Sequence, residues 1–262
     1  MTQGWIETPQ GALRYAMSGE GPVTVLLHEM GGTLESFDLV AGRLPGRVLR
    51  FDAIGYGMSS KLTGPLELSL WSDALVSLLD ALGLAGPVDV AGVAVGGAAA
   101  LHVAARHPDR VRGVLATSPV TGIPPERHAG LLDMADRMER HGLRPLADDW
   151  LVTGYPVDQR HDAERFATYR ARWLGNDPRS FAQTYRMLAR LDMSDTLPRI
   201  VCPVRMIGAT RDAFRPAAAV RAAAALIPGA TYAEVDGGHF LPWQDPALYL
   251  ALATDWLAVT RR

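Results

Sequence analysis

The sequence predicts an α/β fold in which a mostly parallel, twisted sheet is covered by helices on both faces. Short apolar runs alternate with helix-like segments along most of the 262 residues, which is the pattern of strands joined by crossover helices. A chain of this length is also long enough to bury one substantial core, and α/β domains often reach this size without splitting.

The strand candidates follow one another in a regular order. Two short segments at the start, "WIETPQ" and "ALRYAMSG", resemble an antiparallel hairpin that precedes the parallel strands. Apolar runs then predict six strands, at 24–28, 47–52, 88–93, 111–118, 204–208 and 230–236. Helices are predicted at 68–83, 96–107, 216–227 and 245–260.

One stretch interrupts this alternation of strands and helices. Residues 119–198 contain no convincing strand and several helical patterns, such as the apolar spacing between Leu131 and Met138. We therefore expect residues 1–118 and 199–262 to form the core. The stretch between them is expected to form a helical cap, or lid, over one edge of the sheet.

Charge and composition exclude several classes of function. The 26 basic and 28 acidic residues give no electrostatic reason to expect a nucleic-acid or anionic-membrane partner. No run approaches the roughly 20 apolar residues that span a bilayer, and the start "MTQGWIETPQ" lacks the features of a signal peptide. The single cysteine, Cys202, is expected as a structural thiol in a buried strand. We expect a cytoplasmic protein without a metal or cofactor. Whether it forms a homodimer is left open.

The segment "GVAVGG", residues 92–97 and here called the elbow, has the pattern of a sharp strand-to-helix turn. Gly92 lies near the end of the predicted strand "VDVAGV", and Gly96 opens the apolar helix "GGAAALHVAARH". Glycines are needed in such a turn because side chains there would collide with the neighbouring strand and helix. A serine hydrolase carries its nucleophile at the centre of this pattern, where Ala94 stands instead. Glycines that only pack a strand against a helix would explain the segment about as well.

Two further residues follow in the order that a nucleophile–acid–histidine triad requires. Asp212 lies just after the strand at 204–208, and His239 lies just after the strand at 230–236. Both positions are at strand carboxyl ends, the edge where open parallel sheets assemble their sites. In a triad the histidine takes the proton of the nucleophile and the carboxylate fixes the histidine tautomer. Outside a triad, Asp212 would be an ordinary turn residue, and His239 would be a loop histidine hydrogen-bonded to the backbone.

The first parallel strand ends in "LLHEMGG", a strand followed by a glycine-containing turn. Residues 28–32 of this segment are here called the oxyanion turn. Backbone N–H groups in such a turn stabilise the oxyanion that forms during acyl transfer. We expect this role for the N–H groups of Met30 and Val95, the latter being the residue after Ala94.

Four residues are candidates for substrate binding. Trp150 and Tyr185 are large enough to line an apolar pocket in the cap, although packing between helices explains such residues as well. Arg137 is a candidate partner for a substrate carboxylate. Glu29, beside the predicted oxyanion donor, would either repel an acidic substrate or orient an amine or hydroxyl.

Together, "LLHEMGG", "FDAIGYGMSS", "GVAVGGAAALHVAARHPDRV", the loop at Asp212 and "GGHF" resemble the α/β-hydrolase superfamily over essentially the whole chain. The elbow and the segment "NDPRSFAQTYRMLARLDMSDTLPRI" are most similar to the 3-oxoadipate enol-lactonase group of esterases and lactonases. The resemblance implies a hydrolase that cleaves a small-molecule carboxylic ester or lactone through an acyl-enzyme. Alternatives on the same fold are a C–C bond or amide hydrolase, a cofactor-free His–Asp oxygenase and a non-catalytic ligand-binding protein.

The alanine at position 94 has three competing explanations. It is an engineered replacement that lets a substrate bind without turnover, a natural loss that leaves a binding protein, or the sign of a reaction that needs only the His–Asp pair. The first is favoured, because a protein without serine chemistry has no evident need to keep the glycine elbow, Asp212, His239 and the oxyanion turn together. We therefore expect this chain to bind its substrate and convert very little of it.

Overall fold

Eight strands form one sheet in the computed structural model, which describes residues 1–261. They are β1 (Thr2–Thr8), β2 (Gly11–Ser18), β3 (Val23–Leu27), β4 (Arg47–Phe51), β5 (Val88–Val93), β6 (Val111–Thr117), β7 (Val204–Ala209) and β8 (Thr231–Val235). Their order across the sheet is β1-β2-β4-β3-β5-β6-β7-β8. β1 pairs antiparallel with β2, β2 pairs antiparallel with β4, and the remaining neighbours are parallel. The predicted hairpin and parallel strands are confirmed.

Nine α-helices occur within residues 1–261. They are α1 (Leu68–Ala81), α2 (Val95–Arg106), α3 (His128–His141), α4 (Ala147–Gly154), α5 (Ala163–Leu174), α6 (Pro178–Leu188), α7 (Ala217–Ala224), α8 (Leu241–Gln244) and α9 (Pro246–Thr260). The four helices predicted between and after the strands are α1, α2, α7 and α9, whereas the short α8 was not predicted. None of the described helices is long and apolar enough to cross a membrane.

Two apolar clusters, one on each face, bury the central strands. Along β5, Val90 packs in the cluster that contains residues of α1, α2 and α7. The next residue, Ala91, packs in the cluster that contains residues of α9. Because successive side chains of a strand point to opposite faces, this alternation means that helices cover both sides of the sheet. The predicted α/β class is confirmed.

The chain between β6 and β7 contains α3, α4, α5 and α6. Asp162 and Asp177 immediately precede α5 and α6 and cap their amino ends, since each side chain accepts a hydrogen bond from a backbone N–H of the first turn. The buried faces of these helices are aromatic: Trp173 of α5 is fully buried and its ring lies 5.2 Å from that of Phe181 of α6. The inserted helices thus lie where the sequence predicts the cap, while the division into core and cap at 118/119 and 198/199 stays a prediction.

Cys202 does not lie in a strand, contrary to the expectation. The next residue is Pro203, which has no N–H to donate to a ladder, and β7 begins only at Val204. The thiol is half-buried, and this burial raises its pKa to about 11. At neutral pH it is therefore protonated and a poor nucleophile.

Candidate active site

The elbow between β5 and α2 holds Ala94 in a strained backbone conformation. Its φ of 53° and ψ of −115° lie outside the regions that residues with a side chain ordinarily adopt. The Ala94 N–H donates to the Thr117 carbonyl at 2.9 Å, which fixes the elbow to β6. A Cβ on Gly92 would lie 2.2 Å from the Gly96 carbonyl oxygen, and one on Gly96 would lie 2.3 Å from that of Leu27. Glycine is therefore required at both positions for α2 to approach the sheet this closely.

Asp212 and His239 form a buried pair. His239 Nδ1 lies 2.7 Å from one carboxylate oxygen of Asp212. The other oxygen accepts hydrogen bonds from the backbone N–H groups of Phe214 and Arg215, each at 2.9 Å. Burial alone would raise the pKa of Asp212, but the charge and hydrogen bond of His239 outweigh it and hold the pKa below its ordinary value. Asp212 is thus ionised at neutral pH, and Nε2 is the ring nitrogen of His239 left for other partners.

His28 holds the oxyanion turn in place through two hydrogen bonds between its ring and the backbone. Its Nε2 accepts a hydrogen bond from the Ala53 N–H at 3.0 Å, and its Nδ1 donates to the Glu29 carbonyl at 2.7 Å. Gly31 has a φ of 84°, and a Cβ there would lie 2.4 Å from the ring of Trp173. The turn that carries the predicted oxyanion donor therefore has little freedom to change its shape.

A cavity of about 400 Å³ lies between the carboxyl ends of the strands and the inserted helices. Met30, Ala94, Val95 and His239 line it from the side of the sheet. Val95 begins α2, and the first N–H groups of a helix have no partner within it. The opposite walls belong to the segment between β6 and β7, with the apolar members Val120, Ile123, Leu131, Met134 and Leu188. Within residues 1–261, no group of three or more His, Cys, Asp or Glu side chains is placed to hold a metal ion.

The predicted substrate-binding residues divide into two groups. Trp150 of α4 and Tyr185 of α6 line the cavity, and Trp150 Nε1 donates to the Tyr185 hydroxyl at 2.5 Å. Arg137 and Glu29 are not among the described residues that line it. Arg137 is half-buried on α3, whereas Glu29 is buried and accepts a hydrogen bond from the Ser36 hydroxyl at 2.9 Å. The structure thus brings the first two to the cavity and not the second two, whose roles stay predictions.

Two arginines of the cavity were missed by sequence reasoning. Arg127 is the last residue of the short turn that leads into α3, and Arg215 lies in the loop after β7. Arg215 follows Asp212 by three residues in "RDAFRP", so its closeness to the predicted acid was a usable signal. For Arg127 the sequence offered none, because its position depends on how the inserted helices pack.

Comparisons with known proteins agree with this architecture. A family model described as the alpha/beta hydrolase family matches residues 24–252. The pyrrolizixenacetamide deacetylase of Xenorhabdus hominickii is 24% identical over 264 residues, which cover 96% of this chain and 97% of that protein.

Two solved structures share the fold over the whole chain. The enol-lactonase from Burkholderia xenovorans LB400 superposes with a TM-score of 0.91 at 25% identity, covering 97% of this chain and 100% of that one. A thermophilic esterase from Thermogutta terrifontis gives a TM-score of 0.91 at 24% identity and covers 100% of both chains. Since the family model spans most of the sequence and the fold matches throughout, this chain belongs to the alpha/beta hydrolase family and is enol-lactonase-like in structure.

Proposed function

We propose that the cavity is the active site of a serine-type hydrolase of carboxylic esters or lactones, in which Ala94 occupies the position of the nucleophile. The observation that carries this proposal is the buried Asp212–His239 pair, whose imidazole lines the same cavity as the strained elbow residue. The enol-lactonase and esterase that share the fold support an ester or lactone as the substrate. In this proposal, residues 119–198 form the cap.

With serine at position 94, the reaction proceeds in two stages. His239 Nε2 takes the hydroxyl proton while the serine oxygen bonds to the substrate carbonyl carbon, and Asp212 stabilises the imidazolium. The N–H groups of Met30 and Val95 donate to the oxyanion. His239 then gives the proton to the leaving oxygen as the carbonyl re-forms and an acyl-enzyme results. Water, deprotonated by the same imidazole, then attacks the acyl carbon; the bond from that carbon to the serine oxygen breaks, the imidazolium returns its proton to the serine oxygen, and the acid is released.

The alanine interrupts this sequence at its first step, because a methyl group cannot attack a carbonyl carbon. The binding cavity and the His–Asp pair do not depend on the missing oxygen. The elbow geometry and the buried Asp212–His239 pair are both retained, and this supports the view that alanine replaces a serine in an otherwise complete site. We therefore propose that this chain binds its substrate without turning it over.

The test compares this protein with its Ala94→Ser variant on short aryl esters, several lactones and a serine-directed fluorophosphonate probe. We expect the variant to be labelled and to hydrolyse at least one substrate about 10³-fold faster or more, while the parent does neither. Adding His239→Ala to the variant should abolish both signals. A serine variant that is neither labelled nor active would contradict the proposal.

A second candidate is favoured by Ala94 itself. A cofactor-free oxygenase needs only the His–Asp pair: His239 removes a proton from an acidic substrate, and the resulting carbanion reacts with dioxygen. Substrate-dependent dioxygen uptake by the Ala94 protein, unchanged by Ala94→Ser, would support this reaction. Absence of uptake together with hydrolysis by the serine variant would exclude it.

A further inference from the structure

Arg215 carries a positive charge at the cavity wall without an acidic partner among the described residues. Its Nη1 atom donates to the carbonyl of the preceding residue, Phe214, at 2.8 Å, and its Nε atom is buried without a hydrogen-bond partner. The nearby carboxylate of Asp212 is already engaged by His239 and by two backbone N–H groups. Arg215 as a whole is half-buried, and a buried N–H donor such as its Nε is costly unless a ligand or water completes its hydrogen bond.

The other charged residues that line the cavity are more exposed than Arg215. Glu126, Arg127 and Asp149 are exposed to solvent, so water and salt screen their charges. Burial lowers the pKa of Arg215 to about 10, although the charge of Asp212 opposes this shift; the charge of Arg127 acts in the same direction as burial. Arg215 is therefore still protonated at neutral pH, and it gives the inner part of the cavity a positive charge.

A neutral hydrogen-bond donor lies close to this charge. Burial raises the pKa of the Tyr185 hydroxyl, so the hydroxyl keeps its proton at neutral pH. Because this oxygen accepts a hydrogen bond from Trp150 Nε1, its own proton is available for a ligand. Arg127, Tyr185 and Arg215 all line this cavity, and the charges of the two arginines act on the Tyr185 hydroxyl.

We propose that Arg215, together with Arg127 and the Tyr185 hydroxyl, binds a carboxylate of the substrate, so that the ester or lactone taken by this site is an anion. The inference rests on the proposed hydrolase function and names its substrate class. A guanidinium presents two parallel N–H donors that match the two oxygens of a carboxylate. The apolar walls and the volume of about 400 Å³ suit a short carbon chain between that carboxylate and the reacting carbonyl.

The kinetic test uses the Ala94→Ser form and two esters of similar size, the mono-4-nitrophenyl ester of glutaric acid and 4-nitrophenyl valerate. We expect kcat/KM to be about 10- to 100-fold higher for the charged ester, as for a hydrogen-bonded ion pair. Arg215→Gln should lower this ratio to near one, and Arg215→Lys should restore part of it. The matched control, Arg179→Gln, changes an exposed arginine that does not line the cavity and should leave the ratio unchanged.

The outcomes separate the two proposals. If the serine form hydrolyses both esters equally well, or if Arg215→Gln leaves the ratio intact, the carboxylate site is wrong and the hydrolase remains. If the serine form hydrolyses neither ester, the hydrolase proposal fails and a binding measurement decides about the site. Calorimetry of the Ala94 protein should then show monomethyl glutarate binding at least about ten-fold more tightly than methyl valerate, with the difference lost in Arg215→Gln. Equal binding of the two esters would overturn the inference.

Discussion

Ala94 is the residue where backbone strain and candidate chemistry meet. A non-glycine residue held at a φ of 53° costs of the order of 1–3 kcal/mol, and such residues persist only where the surrounding structure imposes them. Here the hydrogen bond to β6 and the close approach of α2 impose the conformation. In a serine enzyme this geometry exposes the hydroxyl at the cavity, whereas the alanine has no reactive atom to expose.

The strain predicts a stabilising substitution. Ala94→Gly should raise the free energy of unfolding by about 1 kcal/mol, because glycine adopts this conformation without collision and its larger entropy in the unfolded chain offsets only part of the gain. Urea denaturation followed by circular dichroism measures the change. The control is Ala98→Gly, within α2 and fully buried, which should lower the free energy of unfolding by about 1 kcal/mol. A decrease for both variants would show that the elbow is not strained.

The sequence predicts those site residues whose position follows from the strand order, and not those whose position depends on how helices pack. Ala94, Asp212 and His239 each follow a strand, and the carboxyl ends of parallel strands share one edge, so the sequence alone brings them together. The positions of Arg137 and Arg127 depend instead on tertiary packing. Which side of α3 faces the cavity is set by its contact with α6, far away in the chain, and a local pattern does not contain that information.

Among the elements, α2 packs closely against the sheet, because Gly92 and Gly96 place no side chains between them. A Cβ on Gly96 would lie 2.3 Å and 2.4 Å from the carbonyl oxygens of Leu27 and His28. These oxygens belong to the backbone at the end of β3, where the oxyanion turn begins. The same close packing therefore fixes the start of α2, which carries the Val95 N–H, relative to the oxyanion turn, which carries the Met30 N–H.

Gly96→Ala should lower the free energy of unfolding by about 2–3 kcal/mol, since neither backbone oxygen moves without shifting a strand. A suitable comparison is Gly130→Ala in α3, where an added Cβ would meet nothing within 4 Å. That change should raise the free energy of unfolding by about 0.5–1 kcal/mol through helix propensity. Both are measured by urea denaturation, and similar effects of the two substitutions would contradict the packing argument.

The strands and helices that the sequence predicts best are those with the strongest local pattern. Parallel strands buried on both faces are continuous apolar runs, and β3 to β7 were found on that basis. The four-residue α8, which carries Pro242 in its first turn, is too short to show helical periodicity. Cys202 was placed in a strand because its neighbours are apolar, although Pro203 delays the start of pairing.

Across the whole molecule, the two ends of the sheet have different roles. The carboxyl ends carry the cavity, and the amino ends carry a buried ionic cluster. Asp89, at the start of β5 and fully buried, lies 2.9 Å from Arg112 Nη1 and 2.7 Å from Arg261 Nε. Arg261, which follows α9, also donates to the Thr24 hydroxyl at 2.6 Å and to the Pro22 carbonyl at 3.3 Å. The end of the described chain is thereby tied to the start of β3 and β5.

Removing this tie should weaken the fold without changing the chemistry. Arg261→Ala leaves the Asp89 carboxylate with Arg112 as its one remaining ionic partner among the described residues, and we expect the free energy of unfolding to fall by about 2–3 kcal/mol. Arg106→Ala is the control, because its pair with Asp73 is exposed and exposed pairs contribute little; its urea midpoint should hardly move.

In the Ala94→Ser form, the Arg261→Ala change should leave kcat/KM on a susceptible ester unaltered at temperatures where the protein is folded. The reason is position, since the cluster lies at the amino end of β5 and the elbow follows its carboxyl end. A loss of kcat/KM without a loss of stability would show that the two ends of the sheet are coupled. A loss of stability alone would show that this family member separates the contacts that close its fold from the residues that line its cavity.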